Sequence, residues 1–182
     1  MLSDWFDGPL KGIARTEMQF SGLDRRNMLE NIRGLDGGTV RPPAGMPKVA
    51  AGLELPSELA DFYTLCGGLS FFNESLFPFE IVGPAEFEPA NLVILGLGTQ
   101  DDRSDYWYVV ATSGGDQFVS IDLHPERMGR CYDSYVDRHA VAGSCAVVAA
   151  SFAEFLDKTI EYGGRGLYWL DPKFKSLGDA YD

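Results

Sequence analysis

Leu55-Pro56-Ser57-Glu58-Leu59-Ala60-Asp61-Phe62-Tyr63-Thr64-Leu65-Cys66-Gly67-Gly68 is the stretch from which the rest of the chain is most readily read. Pro56 suits the first helical position, where its missing N–H costs nothing, and Glu58 puts negative charge in the first turn, where the helix dipole favours it. Leu59, Phe62, Tyr63 and Cys66 follow at i, i+3, i+4 and i+7, so one stripe of the helix is apolar and needs a core to cover it. Gly67-Gly68 end the run, glycine being the residue that tolerates a left-handed cap.

Downstream the pattern changes to short extended runs. Ile81-Val82 lead into a turn or short helix at Pro84 to Phe87, and Leu92-Val93-Ile94-Leu95 and Tyr106 to Ala111 read as strands. Gly114-Gly115-Asp116 is a turn signal before Gln117-Phe118-Val119-Ser120-Ile121-Asp122-Leu123, whose alternation predicts a hairpin with one face on a core. Gly129-Arg130-Cys131-Tyr132 supplies a further strand. A second helix starts at Ser151, whose hydroxyl caps it while Glu154 reaches back. Phe152, Phe155, Leu156, Thr159 and Ile160 form its buried stripe, and Gly163-Gly164 close it. The arrangement predicted is α+β, an antiparallel sheet with helices packed on one side.

Upstream, apolar spacing between Leu23 and Leu35 predicts a helix, and Arg41-Pro42-Pro43-Ala44-Gly45-Met46-Pro47 reads as a linker. The expected organisation is an N-terminal extension over 1–45, a main domain over 46–162 and a tail over 163–182. The tail's Leu167-Tyr168-Trp169-Leu170 is too apolar to float freely and is expected to pack on the domain.

Three motifs in order resemble the SUKH superfamily, the group that includes the Smi/Knr-type fungal cell-wall assembly regulators. They are the Leu55-to-Gly68 helix entry, the glycine-led strand Gly115-Asp116-Gln117-Phe118-Val119-Ser120-Ile121-Asp122, and the final helix Ser151-Phe152-Ala153-Glu154-Phe155-Leu156. The resemblance covers roughly 46–162. Two departures are Cys66, where the family often has asparagine, and a leader longer than usual. The resemblance implies a non-catalytic protein-binding domain. Bacterial members look like immunity proteins that neutralise toxins, many of them nucleases, and fungal members resemble regulatory scaffolds of the cell envelope or of signalling. The immunity reading leads because the chain is close in length to a stand-alone domain.

Charge gives that reading a surface. The net charge is −12. Residues 1–45 hold six acids against six bases and 163–182 hold three against three, so the whole excess lies in 46–162, with eighteen acids and six bases. Between Val49 and Asp122 the only base is Arg103. Such a segment repels nucleic acid, which needs a basic patch, and favours encounter with a basic protein such as a toxin domain. The opening residues carry acids where an export signal would be basic, and three cysteines in no paired spacing suit a reducing cytoplasm, so a cytoplasmic location is expected, with no membrane partner. The expected state is a monomer or weak homodimer.

Two segments combine acids with aromatic rings and are the candidate contact surfaces: Asp101, Asp102, Asp105 and Tyr106 in one, and Tyr132, Asp133, Tyr135 and Asp137 in the other. The first lacks the spacing and glycine of a calcium-binding EF-hand loop, so no metal is expected there. Gly96-Leu97-Gly98 is not a dinucleotide fingerprint, since Asp101 stands where a small residue is needed and acids crowd the phosphate position. No cofactor and no catalytic residue are expected. The enzymatic alternative rests on Cys131, with His124 or His139 as its base.

Overall fold

The computed structural model describes residues 29, 30, 33–35 and 37–182. Seven strands form one sheet in chain order, each antiparallel to the next: β1 (Thr39–Val40), β2 (Leu69–Phe71), β3 (Phe79–Ile81), β4 (Trp107–Thr112), β5 (Phe118–Asp122), β6 (Cys131–Asp133) and β7 (Val147–Ala149). Helices α1 (Ser57–Leu65) and α2 (Ala90–Leu95) interrupt the meander, and α3 (Phe152–Tyr162) follows it. The α+β architecture read from the sequence is the one observed. The helix expected between Leu23 and Leu35 falls largely outside the described residues; Leu29 is buried in the main core.

Register sorts the strand residues onto two faces. Leu69 opposes Ile81, Phe71 opposes Phe79, Tyr108 opposes Ile121, and Ile121 opposes Cys131, so these apolar side chains share one face. The two longer helices cover it. Phe62 of α1 meets Phe152 of α3 edge-on at 5.1 Å, Phe155 reaches Phe79 at 6.1 Å, and Phe87 bridges Tyr63 to Tyr108. Each such ring contributes about 1.5 to 3 kcal/mol by leaving water, which is what holds the helices to the sheet.

The termini of these helices differ in detail from the sequence reading. In α1 the helix proper starts at Ser57, with Pro56 as the residue before it and its carbonyl accepting from Leu59 and Ala60 N–H. Its end is not a left-handed glycine cap: Cys66 is extended, and Gly67 is required because the Pro42 carbonyl lies where a Cβ would stand. In α3, Ser151 Oγ accepts from Glu154 N–H as expected, but the Glu154 carboxylate reaches one residue further back, to Ala150 N–H at 2.6 Å.

The second face is where the sequence reading needs most correction. Ser120 and Asp122 alternate with apolar residues and would face water in a half-solvated hairpin, yet both are fully buried. Trp107 and Tyr132 lie beside them, and the loop after β6 and the chain's last residues cover them, with Trp107 packed on Tyr132, His139 and Tyr181. Strand β1 also departs from the expected organisation: it lies in the segment read as an extension, yet it pairs with β2, and Arg41 beyond it bonds the Ile81 carbonyl and Glu80. At the other end Leu167, Tyr168 and Trp169 are buried, with Tyr168 OH donating to the Val148 carbonyl at 2.9 Å.

Candidate partner-binding surface

The run Leu92-Val93-Ile94-Leu95, read as a strand, is helix α2. After β3 the chain leaves the sheet, turns, and returns at Glu88, whose carbonyl accepts from Val109 N–H beside β4. Pro89 then starts the helix, its carbonyl accepting from Leu92 and Val93 N–H, and Gly96 ends it in the left-handed region at φ 72°. One buried side chain anchors it. Asn91 Nδ2 donates to Thr99 Oγ1 at 2.7 Å and Ser104 Oγ at 2.9 Å, while its Oδ1 lies 2.8 Å from His139 Nε2. An amide oxygen only accepts, so the His139 proton sits on Nε2.

The acidic loop is folded on this anchor. Asp102 and Asp105 form a reciprocal capping box around the 3-10 turn Arg103–Tyr106. Asp102 Oδ1 also accepts from Ser104 Oγ and from Tyr181 OH, and Thr99 donates to Asp105. Partial burial alone would raise the Asp102 carboxyl, but the bonds from Ser104 and Tyr181 outweigh it and hold the group below its ordinary range. Arg103 turns away, its Nη1 donating to the carbonyls of Ala180 and Asp182. Asp101, exposed and at φ 60°, points its charge outward. Tyr106 is half-buried, edge-on to His124 at 4.7 Å.

The second sequence-predicted segment divides. Tyr132 and Asp133 are buried and are not a contact surface: Tyr132 OH donates to Asp122 Oδ2 at 2.8 Å, and Asp133 receives Gln117 Nε2 and pairs with Arg138 at 2.9 Å. Tyr132 reads as surface because a sequence of acids and tyrosines does not reveal a second buried face, and Asp133, opposite Val119, turns to the first. Tyr135, under the Arg138 guanidinium, and Asp137 remain accessible. His139 follows on the same loop and bonds Asn91, so the two predicted segments sit against each other. Burial pushes the His139 imidazole down to about 4, against the opposing pull of Asp102.

Three of the six cations in 46–162 are committed to buried or helical acids: Arg127 pairs with Asp122, Arg138 with Asp133 and Lys158 with Glu154. The excess charge therefore lies on exposed acids, among them Glu86, Glu88, Asp101, Asp116, Glu126 and Asp137. On α3, half-burial and the charges of Glu161 and Glu58 push the Asp157 carboxyl up to about 6.

What sequence reasoning missed is the apolar half of the surface. Leu92, Val93, Leu95 and Leu97 are 51%, 38%, 39% and 56% exposed. Beside them Pro89, Leu92, Gly98, Gln100, Asp101 and Asp105 help line an open cleft of roughly 570 Å³. A run of apolar residues is ordinarily assigned to a core, so composition gave no signal for it.

Of the enzymatic alternative, Cys131 with His124 or His139, the structure separates Cys131 from His139. Cys131 Sγ lies on the helix-covered face and donates to the carbonyls of Gly129 and Ser151, and burial pushes its thiol well up, away from the thiolate a nucleophile needs. His139 packs against Trp107 on the other face of the sheet. Among the described residues no group of three His, Cys, Asp or Glu is arranged to hold a metal ion, and no helix is long and apolar enough to cross a membrane.

The SMI1/KNR4 family model (SUKH-1) matches residues 50–158. The chain belongs to that family. The match begins just before α1 and ends within α3, so it takes in the meander from β2 to β7 and both loops of the candidate surface. The chain is also 41% identical over 138 residues to the immunity protein YokJ of Bacillus subtilis (strain 168), an alignment covering 76% of this chain and 84% of that protein. No solved structure matches significantly.

Proposed function

We propose that this chain is an immunity protein that binds a cognate toxin in the cytoplasm and occludes it without chemistry of its own. The similarity to an immunity protein over 84% of that protein's length carries the reading. The confinement of the excess acid to the family segment supports a basic partner, such as the nucleic-acid-binding face of a nuclease toxin, because opposite fields speed encounter and select the partner. Neutralisation then comes from a few desolvated anchors and charge complementarity, with no residue turning over.

Stoichiometry tests the mechanism. Titrating this chain into a candidate toxin domain taken from its gene neighbourhood should abolish that domain's activity at one equivalent, and co-expression should restore growth of cells making the toxin. Neutralisation by far less than one equivalent would show turnover and overturn the binding mechanism. No protection at any ratio would overturn the immunity reading itself.

A further inference from the structure

We propose that α2 and the acidic loop after it form the docking surface for a basic toxin domain, with Leu92, Val93, Leu95 and Leu97 as its apolar centre and Glu88, Asp101 and Asp105 as its acidic collar. The assignment rests on the toxin-binding reading and adds the place and chemistry of contact.

Single exposed leucines are ordinary, but four half-exposed aliphatic side chains within six residues make one patch, and such patches mark interaction sites. The collar gives the occupant its sign. Arg103, the only base between Val49 and Asp122, is turned to the carbonyls of Ala180 and Asp182, so the acids of this loop meet no guanidinium from their own segment. The cleft beside Leu92 has an apolar wall, Pro89 and Leu92, and an acidic wall, Asp101 and Asp105. It fits a lysine or arginine of the partner, whose hydrocarbon stem lies along the first wall while its charged head meets the second.

The surface is also held in shape before the partner arrives. Asn91 ties α2 to Thr99, Ser104 and His139, and the Asp102–Asp105 capping box fixes the loop's end. Binding therefore costs little ordering of the loop, which leaves more of the contact energy as affinity.

The test uses the full chain, a catalytically inactive form of the neighbouring toxin domain, and calorimetry. Leu92→Ala with Leu97→Ala should raise Kd by about 30-fold or more, as loss of two hot-spot side chains does. Asp101→Lys should raise it about 10-fold and flatten its salt dependence, since a rim charge acts mainly through long-range attraction. Glu161→Lys on α3, the same change of charge elsewhere, should change it less than about 3-fold. Hydrogen exchange on the wild-type complex gives a readout free of mutation, with new protection expected in the amides of 92–101. Wild-type binding with unchanged Kd in the α2 and Asp101 variants, or a footprint elsewhere, overturns this surface while leaving the immunity reading standing. Absence of wild-type binding overturns both. If sedimentation shows that the α2 variants abolish a homodimer while toxin affinity is unchanged, the patch is a self-contact and the proposal fails.

Discussion

Replacing Asn91 by alanine removes the one side chain that links α2, the acidic loop and the loop after β6. Its loss deletes two good donations, to Thr99 at 2.7 Å and Ser104 at 2.9 Å, and the acceptor 2.8 Å from His139 Nε2. Thr99 and Ser104 keep their bonds to Asp105 and Asp102, so each lost donation costs about 1 kcal/mol. His139 is worse placed. It is 3% exposed and its Nδ1 has no partner among the described residues, so the variant leaves both ring nitrogens unsatisfied. An orphaned buried donor costs about 1 to 3 kcal/mol, which brings the total to about 3 to 5. At about 2 to 4 °C per kcal/mol for a domain of this size, Tm should fall by about 6 to 20 °C. Urea denaturation should show the same loss in midpoint at unchanged slope. Hydrogen exchange at 99–105 should quicken more than in β4 and β5, because the anchor is local. A loss under about 1 kcal/mol, or uniform quickening across the sheet, would refute the role given to Asn91.

Asp122 is fully buried and accepts from Trp107, Arg127, Tyr132 and the His124 N–H, so Asp122→Ala strands a partly buried cation and two ring donors and should cost about 3 kcal/mol in urea denaturation. His139 is held down to about 4 in the fold and takes its proton near 6.5 when unfolded. Between those values the unfolded chain binds more protons, so stability should fall on acidification by up to about 1.4 kcal/mol per pH unit from this group, and His139→Gln should flatten that slope. Asp157 has the opposite sign: its carboxyl is raised to about 6, so ionisation disfavours the fold as pH rises through that range. Asp157→Asn should therefore stabilise the protein at pH 7 by about 1 kcal/mol after solvent screening, with the gain gone near pH 4, as thermal melts at the two pH values would show.

The two long helices were legible because periodicity and punctuation agree in each: Leu59, Phe62, Tyr63 and Cys66 bury as one stripe, and Ser151 caps α3. The β4–β5 hairpin was legible from its glycines. The second buried face was not. Ser120 and Asp122 look solvent-facing until Tyr132, ten residues away from Asp122, and the tail's Tyr181 are brought over them. Strand β1, two residues long, is too short for any periodicity. Helix α2 was misread because β-branched Val93 and Ile94 favour a strand, whereas Pro89, Gly96 and the long-range bonds of Asn91 impose a turn and a half of helix. The acids of the candidate surface were visible as acids; its leucines were hidden by the assumption that apolar runs go inside.

That misreading and the buried polar face have one physical cause. A sheet with both faces covered must pair the polar groups it buries, and here Asp122, Asp133, Asn91 and the Nε2 of His139 are paired with residues drawn from distant parts of the chain. Such a network fixes geometry more than it adds net stability, because each buried group left without a partner is costly and few arrangements pair nearly all of them. The same bonds that close the second face also hold α2 at its rim with leucines outward. A loop held this way keeps its shape while its exposed positions vary. On the proposed docking surface, changes at Leu92, Leu97 or Asp101 should alter which partner fits without disturbing the network beneath, whereas changes at Asn91 or Asp102 should disturb both. A saturation library selected separately for folding and for toxin binding should therefore split the loop into these two classes.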